Sequence, residues 1–169
     1  IITKQGGTVL FSAIGGQITG YGAGVRGAKQ FSGFLVIDDG NKPADIHSET
    51  MRNKVATYFK ETLLSRLNDS NTPIINIQQR LNIEDLSGFL EKKYNFEFGQ
   101  YMTNVCDYIF LVKSKSSKAI LDGINSTNFN KDKIFNVNTP QEAVDYISKM
   151  NINEKITVLL ENDLPDNYN

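Results

Sequence analysis

From Phe34 onward, short apolar runs alternate with stretches of helical periodicity, and no other feature of this chain restricts its fold so strongly. Phe34-Leu35-Val36-Ile37 is a continuous apolar run that stops at Asp38-Asp39-Gly40, as a strand buried on both faces does when it meets a loop. Ser48 to Leu67 then repeats residues at three- and four-residue spacing (Met51, Val55, Tyr58/Phe59, Thr62/Leu63, Leu67), with Ser48 as an N-cap, so a helix is expected there. The alternation continues with strand Ile74–Gln78, helices Ile83–Tyr94 and Phe98–Val105, strand Tyr108–Val112 and helix Lys115–Asn125. It closes with strand Ile134–Val137, helix Pro140–Met150 capped by Thr139, and strand Ile156–Leu160. Strands alternating with helices predict an α/β fold, a mostly parallel sheet with helices on both faces and right-handed crossovers. Upstream, Thr8–Ile14 and Gln17–Tyr21 read as two strands of a hairpin turning at Gly15-Gly16.

Composition narrows the function classes. The 169 residues carry 18 Lys plus Arg against 19 Asp plus Glu, so the balance of −1 supplies no global attraction to DNA or anionic lipid. Cys106 is the only cysteine and His47 the only histidine, which excludes an internal disulfide and a Cys/His zinc site and fits a reducing compartment. No apolar run approaches the roughly 20 residues that a membrane helix needs, and Ile1 is not followed by a secretory signal pattern. Without an initiator Met, the chain is expected to begin inside a longer protein or to have been trimmed.

The chemistry-bearing stretch is Gly22-Ala23-Gly24-Val25-Arg26-Gly27 followed by Phe34 to Asp39. Two carboxylates at the carboxyl end of a parallel strand can hold Mg²⁺ and polarise a water, because ligands collect at that edge of the sheet. Asp38 would sit over the metal and Asp39 over the water; the alternative is a solvated turn cornering at Asp39-Gly40. Downstream come His47-Ser48-Glu49-Thr50-Met51-Arg52, then Pro73 to Gln78-Gln79-Arg80, then Glu84-Asp85-Leu86-Ser87-Gly88. In this order, residues 1 to about 93 resemble the Walker B half of the ATPase domain of the large terminase subunit of tailed bacteriophages, the motor that packages DNA.

That resemblance implies a P-loop-NTPase-like first half and Mg-ATP as cofactor. Asp38 would be the metal ligand, Asp39 would stand at the catalytic carboxylate, and Gln79 and Arg80 would couple hydrolysis to movement. Arg26 would contact phosphate. It also implies DNA and other motor subunits as partners and the cytoplasm of a bacterial or phage-infected cell. Read as residues alone, Gln79 and Arg80 can equally solvate a strand end, and Arg26 can be an ordinary surface side chain. The sequence contains no G-x-x-x-x-G-K-[ST] phosphate loop; in the family it precedes the residues matched here, so a separate segment would have to supply it. Activity of the chain alone is therefore not expected.

From about Asn95 to Asn169 the text changes. Phe96-Glu97-Phe98-Gly99, Asn104 to Val112 and the ending Leu160-Glu161-Asn162-Asp163-Leu164-Pro165-Asp166-Asn167-Tyr168 resemble the tail of the C-terminal domain of Mur ligases, a Rossmann-like lobe. This half would make the chain a mosaic, joined near Tyr94-Asn95-Phe96 within a helix–loop–helix, and either packed as an independent lobe or extending one parallel sheet as a single continuous α/β domain. Three functions compete at this point: an incomplete terminase-type ATPase, a remnant of an ATP-dependent peptidoglycan-precursor ligase, and a non-catalytic α/β scaffold.

Overall fold

The computed structural model describes residues 1–4, 6–113, 117–150 and 155–160. Two parallel strand pairs carry the architecture. In the first, β1 (Leu35–Asp38) runs beside β2 (Ile74–Ile77), with Leu35 opposite Ile74 and Asp38 opposite Ile77. In the second, β3 (Ile109–Val112) runs beside β4 (Ile134–Val137), with Ile109 opposite Ile134. Among the described residues the two pairs remain separate two-stranded sheets and do not extend one another.

Helix α1 (Glu49–Tyr58) crosses between β1 and β2. Ser48 starts it by accepting a hydrogen bond from Met51 N–H at 3.4 Å. It continues into a π-helical turn, Phe59–Leu63, and a 3₁₀ turn, Leu64–Arg66. The wide turn lodges Phe59 and Leu63 in the core with Ile37 of β1 and Leu86, and Phe89 meets the Phe59 ring edge-on at 6.3 Å.

Here the expectation of helices on both sheet faces fails. Side chains alternate along a strand, so Leu35, Ile37 and Ile74 face the helices while Val36, Ile75 and Ile77 face the other way, and these three are 42%, 44% and 55% exposed. Among the described residues the first sheet is covered on one side only.

Helix α2 (Leu86–Val105) is the second departure. Twenty residues run unbroken through Tyr94-Asn95-Phe96, where the sequence suggested two helices and a mosaic joint. Its first turns pack on the first sheet and its later turns on α3 (Ser117–Asn125), so one rigid element belongs to both halves. The α2–α3 crossing is unusually close. A Cβ on Gly99 would stand 2.1 Å from the Ile120 carbonyl oxygen, and one on Gly123 2.0 Å from that of Phe96. The two backbones touch because both helices present glycine at the crossing.

Helices do cover both faces of the second sheet. Ile109 and Leu111 pack with Ile124, Ile120 and Met102 on the α2–α3 side. On the other side the Phe110 and Phe135 rings stack at 4.7 Å beneath Tyr146 of α4 (Pro140–Lys149). Thr139 caps α4 by accepting from Glu142 N–H at 3.2 Å, and Glu142 reaches back to Asn138 N–H at 2.8 Å.

The expected N-terminal hairpin does not form. Gly15 has φ of +82° and Gly16 N–H closes a turn onto Ala13, but among the described residues the flanks form no strand pairing beyond an Ile2–Thr8 bridge. Val9, Leu10 and Phe11 are exposed, so no buried face stabilises a two-stranded ribbon. The turn is instead fastened to α1, with Tyr58 Oη donating to the Gly16 carbonyl at 2.8 Å and Ile18 packed on the core. Lys155–Leu160 forms no strand and lies exposed. The closing Asn162-to-Tyr168 segment that carried much of the ligase resemblance lies outside the described residues.

Candidate functional site

Because β1 and β2 are parallel, the loops at their carboxyl ends leave from one edge, and Asp39 N–H donates to the Ile77 carbonyl at 2.8 Å. Asp38-Asp39-Gly40 and Gln78-Gln79-Arg80 are thereby neighbours, as expected. Asp38 is exposed on the uncovered face. Asp39 holds φ of +46°, a left-handed backbone that Asp tolerates better than most residues. Among the described residues neither carboxylate has a hydrogen-bonded or ion-paired partner, so both can take an external ligand.

Gln78 adds a feature that its neighbour Gln79 does not. Both amide atoms of Gln78 are buried with no hydrogen-bond partner, and its Oε1 lies 3.8 Å from where a Cβ on Gly40 would be. An unpaired buried amide is costly, about 1–3 kcal/mol. The inward residue was legible in period two: Ile74, Asn76 and Gln78 share a face, and Gln79 is exposed.

Arg80 is engaged elsewhere. Its Nε lies 3.2 Å from Asp85 Oδ1 and its Nη1 3.4 Å from Glu91 Oε2. Asp85 is the hub of this corner. Its fully buried carboxylate caps α2 through Gly88 N–H (2.9 Å) and accepts from Leu81 N–H (3.1 Å) and Asn82 N–H (3.3 Å). Buried Asn41, from the Asp39-Gly40 loop, accepts from Leu86 N–H at 2.7 Å and ties the β1 loop to the same helix start. Asp85-x-x-Gly88 before an apolar run was a readable cap signal; nothing in the sequence marked Asn41.

Arg26 lies at the opposite end of the sheet. Its loop is sewn to the segment before β2: Ala23 bridges Leu67, Asn68 Nδ2 donates to the Gly24 carbonyl at 2.8 Å, and Gly27 N–H donates to Asp69 at 3.0 Å. Gly33, just before β1, packs on Gly24. The expected convergence of Arg26 with Asp38 therefore fails, because the glycine loop packs against the strands' amino ends, a strand length of about 13 Å from their carboxyl ends.

No family model matches the chain, and no curated protein or solved structure does either.

Mg²⁺ is commonly held by one or two carboxylates with water completing the octahedron; Asp38 and Asp39 follow one another at the end of β1, and among the described residues no group of three or more acidic, His or Cys side chains gathers. Phosphates need a backbone N–H cradle and a cation, whereas Arg80 is committed to α2 and Arg26 to the far edge. Among the described residues no helix is long and apolar enough to cross a membrane.

At the far edge, Asp69 has its carboxyl held below its ordinary value of 3.8, first by the Gly27 N–H, then by the Asn71 N–H, with a smaller contribution from Arg26. A lowered folded value means that the stabilisation is complete above the ordinary carboxylate range and disappears as pH falls through the lowered value. Asp69→Asn should flatten the acid limb of a stability–pH curve below pH 3.8 and leave the neutral region unchanged in slope. Urea denaturation across pH checks this; an unchanged acid limb would contradict it.

Proposed function

We propose that the chain carries the acidic half of a nucleotide-hydrolase site, of the terminase ATPase type that its residue order resembles, and that it does not turn over ATP alone. The observation that carries the reading is the pair of carboxylates, Asp38 and Asp39, unpartnered among the described residues, at the carboxyl edge of a parallel strand pair. In this reading Asp38 holds Mg²⁺ and Asp39 orients a water, while a separate segment provides the phosphate cradle. Gln79, exposed beside them, is free to meet the nucleotide. Arg80 acts through α2 and not on phosphate. DNA and further motor subunits are the partners this reading calls for.

A non-catalytic α/β scaffold is the second reading, and the commitment of Arg80 to Asp85 and Glu91 favours it. Calorimetric titration with Mg-ATP separates the two. The first reading predicts weak, millimolar binding that Asp38→Ala abolishes, with turnover at background. Absence of binding, or equal binding by both proteins, would favour the scaffold. Asp39→Gly is a clean companion, since glycine accepts the φ of +46°. It should change stability by less than about 1 kcal/mol while weakening Mg²⁺ binding, and a large loss of stability would show that the carboxylate has a structural role.

A further inference from the structure

Among the described residues, strand β3 is bordered on one side only, although its sequence is that of an interior strand. Ile109 and Leu111 are buried under α2 and α3, Phe110 and Val112 are half-buried on the α4 side, and no polar residue interrupts the run. β4, its one neighbour among the described residues, carries exposed Asn136, as an edge strand does. Among the described residues the second edge of β3 is thus an unfilled parallel-strand position.

The chain contains a segment suited to it. Lys155–Leu160 reads Lys-Ile-Thr-Val-Leu-Leu, rich in β-branched and apolar residues, yet Ile156, Val158, Leu159 and Leu160 are 45–79% exposed. Helix α4 precedes it. Ten helical residues span about 15 Å, enough to return along a strand of four, and residues 150–154 provide a connection of ordinary length.

Handedness selects the edge. α3 connects β3 to β4 on the face of Ile109 and Leu111, and α4 leaves β4 on the opposite face, against Phe110 and Phe135. A right-handed crossover on one face steps in one direction across the sheet, and a right-handed crossover on the other face steps back. The strand after α4 must then pass β4 and arrive beside β3.

We infer that Lys155–Leu160 docks as a parallel strand on the free edge of β3, giving the order β4, β3, docked segment, and that the arrangement described above is its undocked state. Docking buries the exposed apolar side chains of the segment and turns a marginal two-stranded pair into a three-stranded sheet.

The test is NMR on the full chain. Nuclear Overhauser contacts are expected between residues 156–160 and Ile109–Val112, with amide exchange in the segment slowed at least about tenfold relative to an unstructured peptide. Val158→Pro, which removes a ladder donor, should abolish those contacts and accelerate Phe110 and Leu111 exchange, while Val158→Thr should preserve both. Contacts to β4 in place of β3, unprotected amides throughout the segment, or protection that appears only when the protein dimerises would overturn the inference.

Discussion

Gly123→Ala is expected to be among the most damaging single substitutions in this protein, with Gly99→Ala close behind. The added methyl carbons would stand 2.0 Å and 2.1 Å from backbone oxygens of the facing helix, Phe96 and Ile120 respectively. Neither oxygen can rotate away as a flexible side chain would, so α2 and α3 must separate and the Ile109–Leu111–Ile124 cluster beneath them loosens. Overpacking typically costs 1–3 kcal/mol, and here, with backbone on both sides, about 3 kcal/mol or more is expected. The gain in helix propensity from alanine offsets only about 1 kcal/mol. Urea denaturation measures it directly. The double variant should lose less than the sum of the two singles, because each already forces the same separation; full additivity would mean that the helices do not touch at both glycines.

Asp85→Ala is the second large expected loss. Its carboxylate is fully buried and serves three backbone N–H groups, at Leu81, Asn82 and Gly88, besides facing Arg80. Losing the helix cap costs about 1 kcal/mol, and unsatisfied loop amides cost about 1 kcal/mol each where water cannot replace the acceptor. Arg80 is half exposed, 49%, so its ion pair adds little once solvent screening is allowed for. About 3 kcal/mol in total is expected. Arg80→Ala should therefore cost far less than Asp85→Ala, and the two together little more than Asp85→Ala alone. If Arg80→Ala proved as harmful, the ion pair and not the backbone contacts would hold this corner.

How far the sequence could be read depended on how local the physics was. β4 occupies the expected Ile134–Val137, and Ser48 and Thr139 cap the helices assigned to them, because periodicity and caps act within a few residues. Adjacency of Asp38-Asp39 and Gln78-Gln79 followed from a parallel pairing that the apolar runs implied. The failures were tertiary. The resemblance placed Arg26, in residues 22–27, on phosphate near Asp38, but hydrogen bonds to Asn68 and Asp69 fasten that loop at the other end of the sheet. Tyr94-Asn95-Phe96 suggested a joint, yet α2 runs through it unbroken and packs on the first sheet at one end and on α3 at the other. The hairpin at Gly15-Gly16 had turn chemistry and no surface to bury. Arg80, expected by resemblance to couple hydrolysis to movement, is held instead by buried Asp85.

Manganese paramagnetic broadening in an amide NMR spectrum tests the proposed site most directly, since Mn²⁺ substitutes for Mg²⁺ at oxygen ligands and reports where the ion rests. The account predicts early, selective loss of the signals of residues 38–41 and 78–80, abolished by Asp38→Ala, with the Gly24–Gly27 loop and Asp69 untouched. Broadening centred on Asp69, or spread evenly over the acidic surface and indifferent to Asp38→Ala, would contradict it and leave the chain as a scaffold.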